Sequence, residues 1–165
     1  MAEKIMIWAQ TNNGTIGNEL KIPWREKADM QFFKAQTLDQ VILMGRNTMD
    51  SFNGRPLPKR VNLVLTSQAD LVVPEGFQAV NTLAEADQIA DELGKDLLII
   101  GGSAVYTSLL TEADILYVTY LDTDFSGDTI MPQVDKTVWQ GVEIQAGLAD
   151  PDNEFDYVIV KYSRR

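Results

Sequence analysis

Short apolar runs alternate along the chain with a stretch of helical spacing. KIMIWAQ is strand-like, and VILMG, VNLVLT and DLLIIGG are continuous apolar runs that end in Gly or Thr, which is typical of strands that are covered on both faces. The stretch AVNTLAEADQIADELG instead repeats its apolar residues at helical spacing and ends at Gly94, a residue type that commonly follows a helix. This alternation predicts an α/β layer architecture with a largely parallel sheet.

The final third of the chain has a different pattern. It contains three strand candidates, ILYVTYLD, VWQGVEIQAG and FDYVIVKYS, with no helical pattern between the last two. Strands without an intervening helix are joined by a hairpin or loop, so at least one of them should run antiparallel. The segments NNGTIGNELKIP and SGDTIMP are interpreted as a long loop and a turn. The sequence therefore predicts a mixed sheet.

Length and composition favour one domain over residues 1–165. A chain of 165 residues with 45% apolar and 23% charged residues is ordinary for a soluble globular protein, and no linker or internal repeat interrupts it. No apolar run approaches the ~20 residues that span a bilayer. The N-terminus MAEKIMIWAQ lacks the long apolar region of a signal peptide, so we expect a cytoplasmic protein.

The chain contains neither cysteine nor histidine. Their absence excludes disulfides, thiolate chemistry, histidine metal ligands and nucleophile activation by histidine, and no metal site is expected. Proton transfer must therefore depend on a carboxylate, a lysine, a tyrosine or water.

Charge is distributed unevenly. The net charge is −10, and residues 85–156 carry sixteen acidic residues against two basic ones, which argues against a nucleic-acid surface. Four basic residues nevertheless cluster around one acid, Asp50, and these are Arg46, Arg55, Lys59 and Arg60. Such a cluster is either a solvated face or a local site for a small anion.

Donor-rich residues follow three of the predicted strands, where ligands bind in open parallel sheets. They are Gly101 and Gly102 ahead of a helix beginning near Ser103, Gly45 with Arg46 and Thr48, and Thr66 with Ser67. Glycines allow a phosphate to approach the backbone, and Arg and hydroxyl groups donate to it. The pattern is not a G-x-G-x-x-G fingerprint, and each residue also has a purely conformational interpretation as a cap or turn.

Asp29 lies just ahead of a predicted helix with Met30 and Phe33. An acid at a helix start is commonly a surface residue that the helix dipole stabilises. The spacing instead places Asp29 beside the apolar face, where a carboxylate needs partners and marks a candidate site. Arg60, behind the rigid segment PLPKR, similarly suits either a ligand carboxylate or an internal salt bridge. The aromatic residues that suit a pocket for a flat ring, or equally the core, are Trp8, Trp24, Phe33 and Phe52.

In order and spacing, several motifs resemble those of the dihydrofolate reductases of the bacterial chromosomal type. These are IWAQTNNGTIG, IPW followed by Asp29 and FFK, MGRNT, SFNGRPLPKR, VLTSQ, IIGGSAVY, LYVT and GDTIMP. They cover essentially the whole chain from Ile5 to Pro132, and the closing strand pair also fits. The resemblance implies a central eight-stranded, mainly parallel mixed sheet with an antiparallel C-terminal strand and four flanking helices.

The resemblance also implies an activity. The chain would reduce 7,8-dihydrofolate to 5,6,7,8-tetrahydrofolate for one-carbon metabolism, with NADPH as cofactor, and it would be a target of antifolates. Asp29 would bind the pterin 2-amino group and N3 with support from Thr119, remain ionised, and favour protonation of N5 through water. Trp24 would follow the lid from Thr15 to Ile22. Substrate contacts are implied for Ile7, Asp29, Met30, Phe33, Phe52, Arg55, Leu57, Arg60 and Thr119.

Cofactor contacts follow from the same resemblance. They are implied for Ala9, Thr15, Ile16, Gly17, Asn18, Glu19, Leu20, Lys21, Gly45, Arg46, Asn47, Thr48, Leu65, Thr66, Ser67, Ile100, Gly101, Gly102, Ser103, Ala104, Val105 and Tyr106. Ala9, Ile16 and Ile100 would lie near the nicotinamide, and Gly101 and Gly102 near the pyrophosphate. Thr48 would support the pyrophosphate, while Arg46, Thr66 and Ser67 would bind the adenosine 2′-phosphate.

Departures from the family pattern weaken two of these implied contacts. Asn47 and Ala104 stand where relatives carry basic or imidazole side chains, so discrimination of NADPH from NADH should depend mainly on Arg46. Asn53 is an extra residue ahead of Gly54, which places the contact of Arg55 with the substrate in question.

A monomer is expected for a reductase of this family. Two other functions remain open at this point. A pyrimidinone reductase of riboflavin synthesis shares the fold and cofactor, but does not need Asp29 together with Arg60. A non-catalytic nucleotide-binding domain of the same fold is the alternative from another class.

Overall fold

The computed structural model describes residues 2–17 and 22–165. The implied cofactor contacts at Asn18, Glu19, Leu20 and Lys21 lie outside the described residues. Four α-helices are present in the described part of the chain: α1 (Lys27–Thr37), α2 (Arg46–Ser51), α3 (Leu83–Glu92) and α4 (Ser103–Leu109). A 3₁₀ turn at Leu110–Glu112 follows α4.

The strands are, in chain order, β1 (Lys4–Gln10), β2 (Thr15–Gly17), β3 (Val41–Met44), β4 (Val61–Leu65), β5 (Phe77–Val80), β6 (Leu97–Gly101), β7 (Ile115–Leu121), β8 (Thr129–Ile130), β9 (Trp139–Gly147) and β10 (Tyr157–Arg164). Eight of them form one sheet in the order β5-β4-β3-β6-β1-β7-β10-β9. β3 pairs in parallel with β4 and β6, and β10 is antiparallel to both β7 and β9. The predicted mixed, mainly parallel sheet is confirmed.

The chain forms two compact units. One comprises residues 1–6 and 36–113, and the other comprises residues 7–35 and 114–165. In the first, β3 and most of β4 and β6 are fully buried, as their continuous apolar runs predict. In the second, β7 is mostly buried, β10 buries alternate side chains only near its start, and β9 is largely exposed. The prediction of one domain over residues 1–165 stays a prediction.

The two ends of α3 show why its pattern could be interpreted from sequence. Thr82 accepts a hydrogen bond from the Glu85 backbone N–H at 3.1 Å, which satisfies a free donor of the first turn. Gly94 adopts a φ of 67° beyond the last helical residue and donates its N–H to the Asp91 carbonyl.

Three local expectations were wrong. The segment ahead of α3 includes a strand, β5, which the helical pattern had obscured. The predicted loop and turn contain β2 and β8, which pair with each other in a small separate sheet. Strands of three and two residues are too short to show a period of their own, so only their long-range pairing reveals them. Finally, α1 begins at Lys27, which places Asp29 inside its first turn and not ahead of it.

Candidate active site

The N-terminus of α1 is held by the loop between β9 and β10. The Asn153 side-chain carbonyl accepts the Ala28 N–H at 2.8 Å, and the Asp152 carbonyl accepts the Lys27 N–H at 3.1 Å. Glu26, just ahead of the helix, forms an antiparallel bridge with Asn153. A helix start leaves four backbone N–H groups unbonded, and here a segment more than 120 residues away supplies acceptors. This loop therefore fixes where α1 starts.

Asn153 provides a stability prediction. Replacement of Asn153 by Ala removes the acceptor of the Ala28 N–H and the bond that its amide donates to Asp150. We expect the free energy of unfolding to fall by about 1–3 kcal/mol, because a capping acceptor and a part-buried hydrogen bond are lost together. Urea denaturation measures the change. Asn12→Ala, at an exposed asparagine, is the control and should alter stability by less than about 0.5 kcal/mol; equal losses would contradict the capping role.

Asp29 and Thr119 form the polar centre of this unit. Phe32 of α1 packs edge-on against Tyr117 of β7, with ring centroids 5.3 Å apart. Asp29 lies three residues before Phe32 on the same helix face, and Thr119 lies two residues after Tyr117 on the same strand face. The Thr119 hydroxyl hydrogen bonds to the Asp29 carboxyl. The packing of one aromatic pair thus directs a carboxylate and a hydroxyl towards each other.

The protonation of Asp29 reflects its surroundings. Burial raises the pKa of the Asp29 carboxyl, and the hydrogen bond from Thr119 lowers it to a smaller extent. Thr119 is itself only 2% exposed. A carboxyl that loses hydration but keeps one donor binds a proton more readily than one on the surface. The surroundings of Asp29 therefore differ from those of an acid that only stabilises a helix start at the surface.

The apolar residues expected around Asp29 differ in exposure. Ile7 is buried, and Trp24 and Phe33 are partly exposed. Trp8 is a core residue whose indole N–H donates to the Gln10 side chain at 2.9 Å. Met30 is 68% exposed and Phe33 is partly exposed, so the apolar residues Met30 and Phe33 lie outside the buried core of this unit. The buried face of α1 instead runs through Phe32.

The segment ahead of the predicted lid is also organised within this unit. The Thr15 hydroxyl donates to Asn13 at 3.1 Å and accepts the Gly127 N–H at 3.2 Å. Ala9 and Ile16 are partly exposed, and Gly17 is buried. Residues 123–131 therefore support the chain just before residue 18.

In the other unit, three neighbouring strands end at the same edge of the sheet, and the residues that follow them could bind a phosphate. β4, β3 and β6 are parallel neighbours, so their carboxyl ends share one edge of the sheet, as the sequence predicted. The Gly45 N–H donates to the Gly101 carbonyl at 2.8 Å. A Cβ on Gly45 would lie 2.9 Å from the Val105 side chain, and Gly101 has a φ of 132°. These positions therefore require glycine.

Hydroxyl and amide groups surround these glycines. Thr48 Oγ1 lies 3.3 Å from where a Cβ of Gly101 would stand. The peptide bond between Gly101 and Gly102 is cis. Beyond β4, the Thr66 hydroxyl accepts the Gln68 N–H at 3.1 Å, which leaves its own hydrogen free to donate. The remaining cofactor candidates range from buried Tyr106 through partly exposed Leu65, Ile100, Gly102, Ser103 and Val105 to exposed Arg46, Asn47, Ser67 and Ala104.

Arg60 is held by a side chain that the sequence did not single out. The Asn62 amide donates to the carbonyls of Leu57 and Arg60 at 3.0 Å, and its oxygen accepts the Leu57 N–H at the same distance. Arg60 Nε is buried with no hydrogen-bond partner among the described residues, and desolvation lowers the pKa of the guanidinium. Arg60 Nε therefore forms no internal salt bridge with the described residues. Phe52 and Leu57 are partly buried nearby in sequence, and Arg55 is exposed.

Asn81 is a second side chain that the sequence did not single out, because its role depends on contacts that form only on folding. The Asn81 amide, beyond β5, donates to the Thr66 carbonyl at 2.9 Å and steadies the end of β4. Its contribution depends on β5, which the pattern had not indicated.

Within residues 2–17 and 22–165, no group of three acidic side chains is placed to hold a metal ion. No helix of that part is long and apolar enough to cross a bilayer.

Comparisons with known proteins bear on this arrangement. The family model described as dihydrofolate reductase matches residues 4–164. The dihydrofolate reductase of Enterococcus faecium is 33% identical over 160 residues, covering 97% of this chain and 96% of the relative. Dihydrofolate reductase type 3 of Salmonella typhimurium is 36% identical over 160 residues, covering 97% of each.

A solved structure is similar over nearly its full length. It is the dihydrofolate reductase of Enterococcus faecalis complexed with NADP(H) and RAB-propyl, with a TM-score of 0.88 and 35% sequence identity. The match covers 99% of this chain and 96% of that one. With a family model spanning almost every residue and relatives above 30% identity, the chain belongs to the dihydrofolate reductase family.

Proposed function

We propose that the chain reduces 7,8-dihydrofolate to 5,6,7,8-tetrahydrofolate with NADPH, as family membership implies. The observation that carries this proposal is the half-buried, desolvated Asp29 carboxyl that Thr119 hydrogen bonds. A carboxylate beside a hydroxyl can accept two donors from a flat, nitrogen-rich ring, which in our proposal are the 2-amino group and N3 of the pterin. The pyrimidinone reductase and the non-catalytic domain do not need this pair.

The substrate residues divide by chemistry. We propose that apolar side chains enclose the pterin and benzoyl rings. These are Ile7, Met30, Phe33, Phe52 and Leu57. The buried Nε of Arg60 has no hydrogen-bond partner among the described residues, which supports a role for Arg60 in holding the glutamate α-carboxylate. Arg55 is exposed and follows two residues of positive φ, Asn53 and Gly54, so its contact with the glutamyl tail is the weakest element of the set.

The cofactor residues fit NADPH by the space they leave. Gly45 and Gly101 expose backbone where a Cβ would collide or strain, so a pyrophosphate can approach there. Thr48 then donates to it, and Arg46, Thr66 and Ser67 hold the 2′-phosphate. Further backbone and side-chain contacts are proposed for Asn47, Leu65, Gly102, Ser103, Ala104, Val105 and Tyr106. NADPH supplies the hydride that reduces the pterin at C6.

The residues of this chain provide orientation and the route for a proton. We propose that Asp29, ionised for most of turnover, orients the pterin and favours protonation of N5. The proton arrives through water, because the chain has no histidine to deliver it. Trp24 and Thr119 position this water and the carboxyl.

The lid is proposed for the segment from Thr15 to Ile22, of which residues 18–21 lie outside the described part. It includes the proposed contacts at Gly17, Asn18, Glu19, Leu20 and Lys21, with Ala9, Ile16 and Ile100 against the nicotinamide. Closure excludes bulk water and thereby strengthens the electrostatic effect of Asp29. We further propose a monomer located in the cytoplasm, which gel filtration and cell fractionation would test.

The activity is tested by mixing the purified chain with NADPH and 7,8-dihydrofolate and following the loss of reduced-nicotinamide absorbance. We expect oxidation of NADPH that depends on dihydrofolate and yields tetrahydrofolate. Omission of either compound is the control. An absence of folate-dependent oxidation would refute the proposal.

Cofactor selectivity gives a prediction for Arg46. Because Asn47 and Ala104 carry no charge, Arg46→Ala should raise the KM for NADPH by about tenfold, the cost of one charge-assisted hydrogen bond. The KM for NADH, which lacks the 2′-phosphate, should change less than about twofold. Lys59→Gln, at an exposed base of the same cluster, is the matched control. Equal losses for both cofactors would argue against a 2′-phosphate role.

A further inference from the structure

Glu26 is a buried acid that the proposed mechanism does not use. It directly precedes α1 and is only 2% exposed. Its carbonyl accepts the Met30 N–H at 3.1 Å, which makes it part of the first helical turn. Asp29 lies three residues further along, and residues at this spacing lie on one helix face. Two carboxyls are therefore about one turn apart at the start of α1.

The two oxygens of the Glu26 carboxyl have unequal partners. Oε1 accepts the Phe155 backbone N–H at 2.5 Å. Oε2 is buried and has no hydrogen-bond partner among the described residues. A buried charged oxygen without a donor has lost its hydration and has gained no hydrogen bond in return. The stabilisation of an acid by a helix N-terminus is smaller and does not offset that loss.

The charged groups around Glu26 are mostly of the same sign. Asp150 and Glu154 on the β9–β10 loop, together with Asp29 on its own helix, raise the pKa of Glu26, although desolvation is the largest cause. The hydrogen bond from Phe155 opposes them.

The neighbouring bases are engaged elsewhere. The Arg25 guanidinium donates to the Pro151 carbonyl at 3.1 Å, and Lys27 lies 3.9 Å from Asp152 in an exposed ion pair. No base of the described residues therefore forms a salt bridge with the unpartnered oxygen of Glu26.

Electrostatic coupling between two groups is reciprocal. If the charge of Asp29 makes Glu26 hold its proton more tightly, then the charge of Glu26 does the same for Asp29. While Glu26 is protonated, Asp29 ionises without opposition from it. When Glu26 ionises at higher pH, the affinity of Asp29 for a proton rises.

We propose that Glu26 is a positioning residue for the reaction, a second proton-binding carboxyl whose charge state extends the pH range in which Asp29 can serve dihydrofolate reduction. The inference rests on the proposed role of Asp29. It assigns a chemical task to the buried acid at the start of α1.

The test uses the ligand-free full chain with ¹³C-labelled carboxyl groups, observed by NMR during a pH titration. In the wild-type chain, Glu26 should titrate above the usual range of a glutamate, and Asp29 should titrate in two steps. Glu26→Gln keeps an acceptor for the Phe155 N–H and removes the charge. We expect it to remove the upper step of the Asp29 titration and to leave the lower step near its wild-type position, because the lower step already occurs while Glu26 is protonated.

The matched control is Glu154→Gln. Glu154 is an exposed acid on the same loop whose Oε1 accepts the Arg25 N–H, and a glutamine oxygen can replace it. This variant should move the Asp29 midpoint by less than about 0.2 pH units, since solvent screens an exposed charge. The pH profile of kcat for dihydrofolate should shift to lower pH in Glu26→Gln and should not shift in Glu154→Gln.

Two results would overturn the inference. One is a wild-type Glu26 that titrates in the usual range, which needs no variant and so stands even if Glu26→Gln fails to fold. The other is an Asp29 titration that is the same in the wild type and in Glu26→Gln. Because both readouts are taken without substrate, they remain informative if dihydrofolate reduction itself is not observed, which would count against the proposed function alone.

Discussion

Asp29→Asn is expected to lower kcat for dihydrofolate at pH 7 by about 10²–10⁴-fold, the usual contribution of a positioned acid–base group. The substitution keeps the shape of the side chain and its ability to accept from Thr119, but it removes the charge that favours a proton at N5. The residual rate should rise as pH falls, because protons from solution then replace the missing carboxyl. Stopped-flow measurement of NADPH oxidation across pH provides the test.

The control for Asp29→Asn is Asp152→Asn, an exposed acid in the loop that holds α1, which should keep near-normal turnover. NADPH binding, measured by fluorescence titration, should be unchanged in both variants. Near-normal turnover of Asp29→Asn would make Asp29 a helix-start residue without a catalytic role.

The same substitution has an opposite consequence for stability. Burial raises the pKa of Asp29, so the folded chain binds this proton more tightly than the unfolded chain does. The stability linked to Asp29 is therefore complete below the usual carboxyl range and is lost as pH rises through the raised pKa. Asp29→Asn should remove that loss and be more stable than the wild type at neutral pH. Such a gain is expected where a functional residue, here a desolvated carboxylate, destabilises the folded chain.

The second large effect is expected at Arg60. Arg60→Gln should raise the KM for dihydrofolate by about 10²-fold, because truncating a desolvated charge pair costs about 2–5 kcal/mol. Asn62, which bonds the Leu57 and Arg60 backbone, remains in place, so the loss should come from the guanidinium alone.

A comparison of substrates separates this role from a structural one. The same variant should reduce a dihydropterin that lacks the glutamate as well as the wild type does. Equal loss with both substrates would show that Arg60 maintains the protein and not the substrate carboxylate.

Much of the central sheet could be predicted from sequence because its strands are buried on both faces. Runs such as VILMG and VNLVLT have no other economical interpretation, and β3 and β4 lie where those runs occur. The pairing of β2 with β8 could not be predicted, because strands this short show no period and their contact links residues 15 and 130. Met30 shows a further limit, since apolar character alone does not tell a core position from an exposed one.

The candidate site shows the same division. Asp29 emerged from local spacing, and Thr119 and Arg60 acquired roles through motifs in register. Glu26, Asn62 and Asn153 were not found, because their importance depends on hydrogen bonds with backbone groups that only folding brings near them. The signal for Glu26 was hidden between two bases, where a surface helix start is the ordinary interpretation.

The most direct test of the account is a single turnover with NADPH that carries deuterium on the transferred position of nicotinamide C4. If the chain transfers this hydride to dihydrofolate, mass spectrometry and NMR will find one deuterium at C6 of tetrahydrofolate, with the N5 proton derived from solvent. The rate of this step should fall in Asp29→Asn while the position of the label stays the same. Tetrahydrofolate without deuterium, or NADPH oxidation without labelled product, would contradict the account.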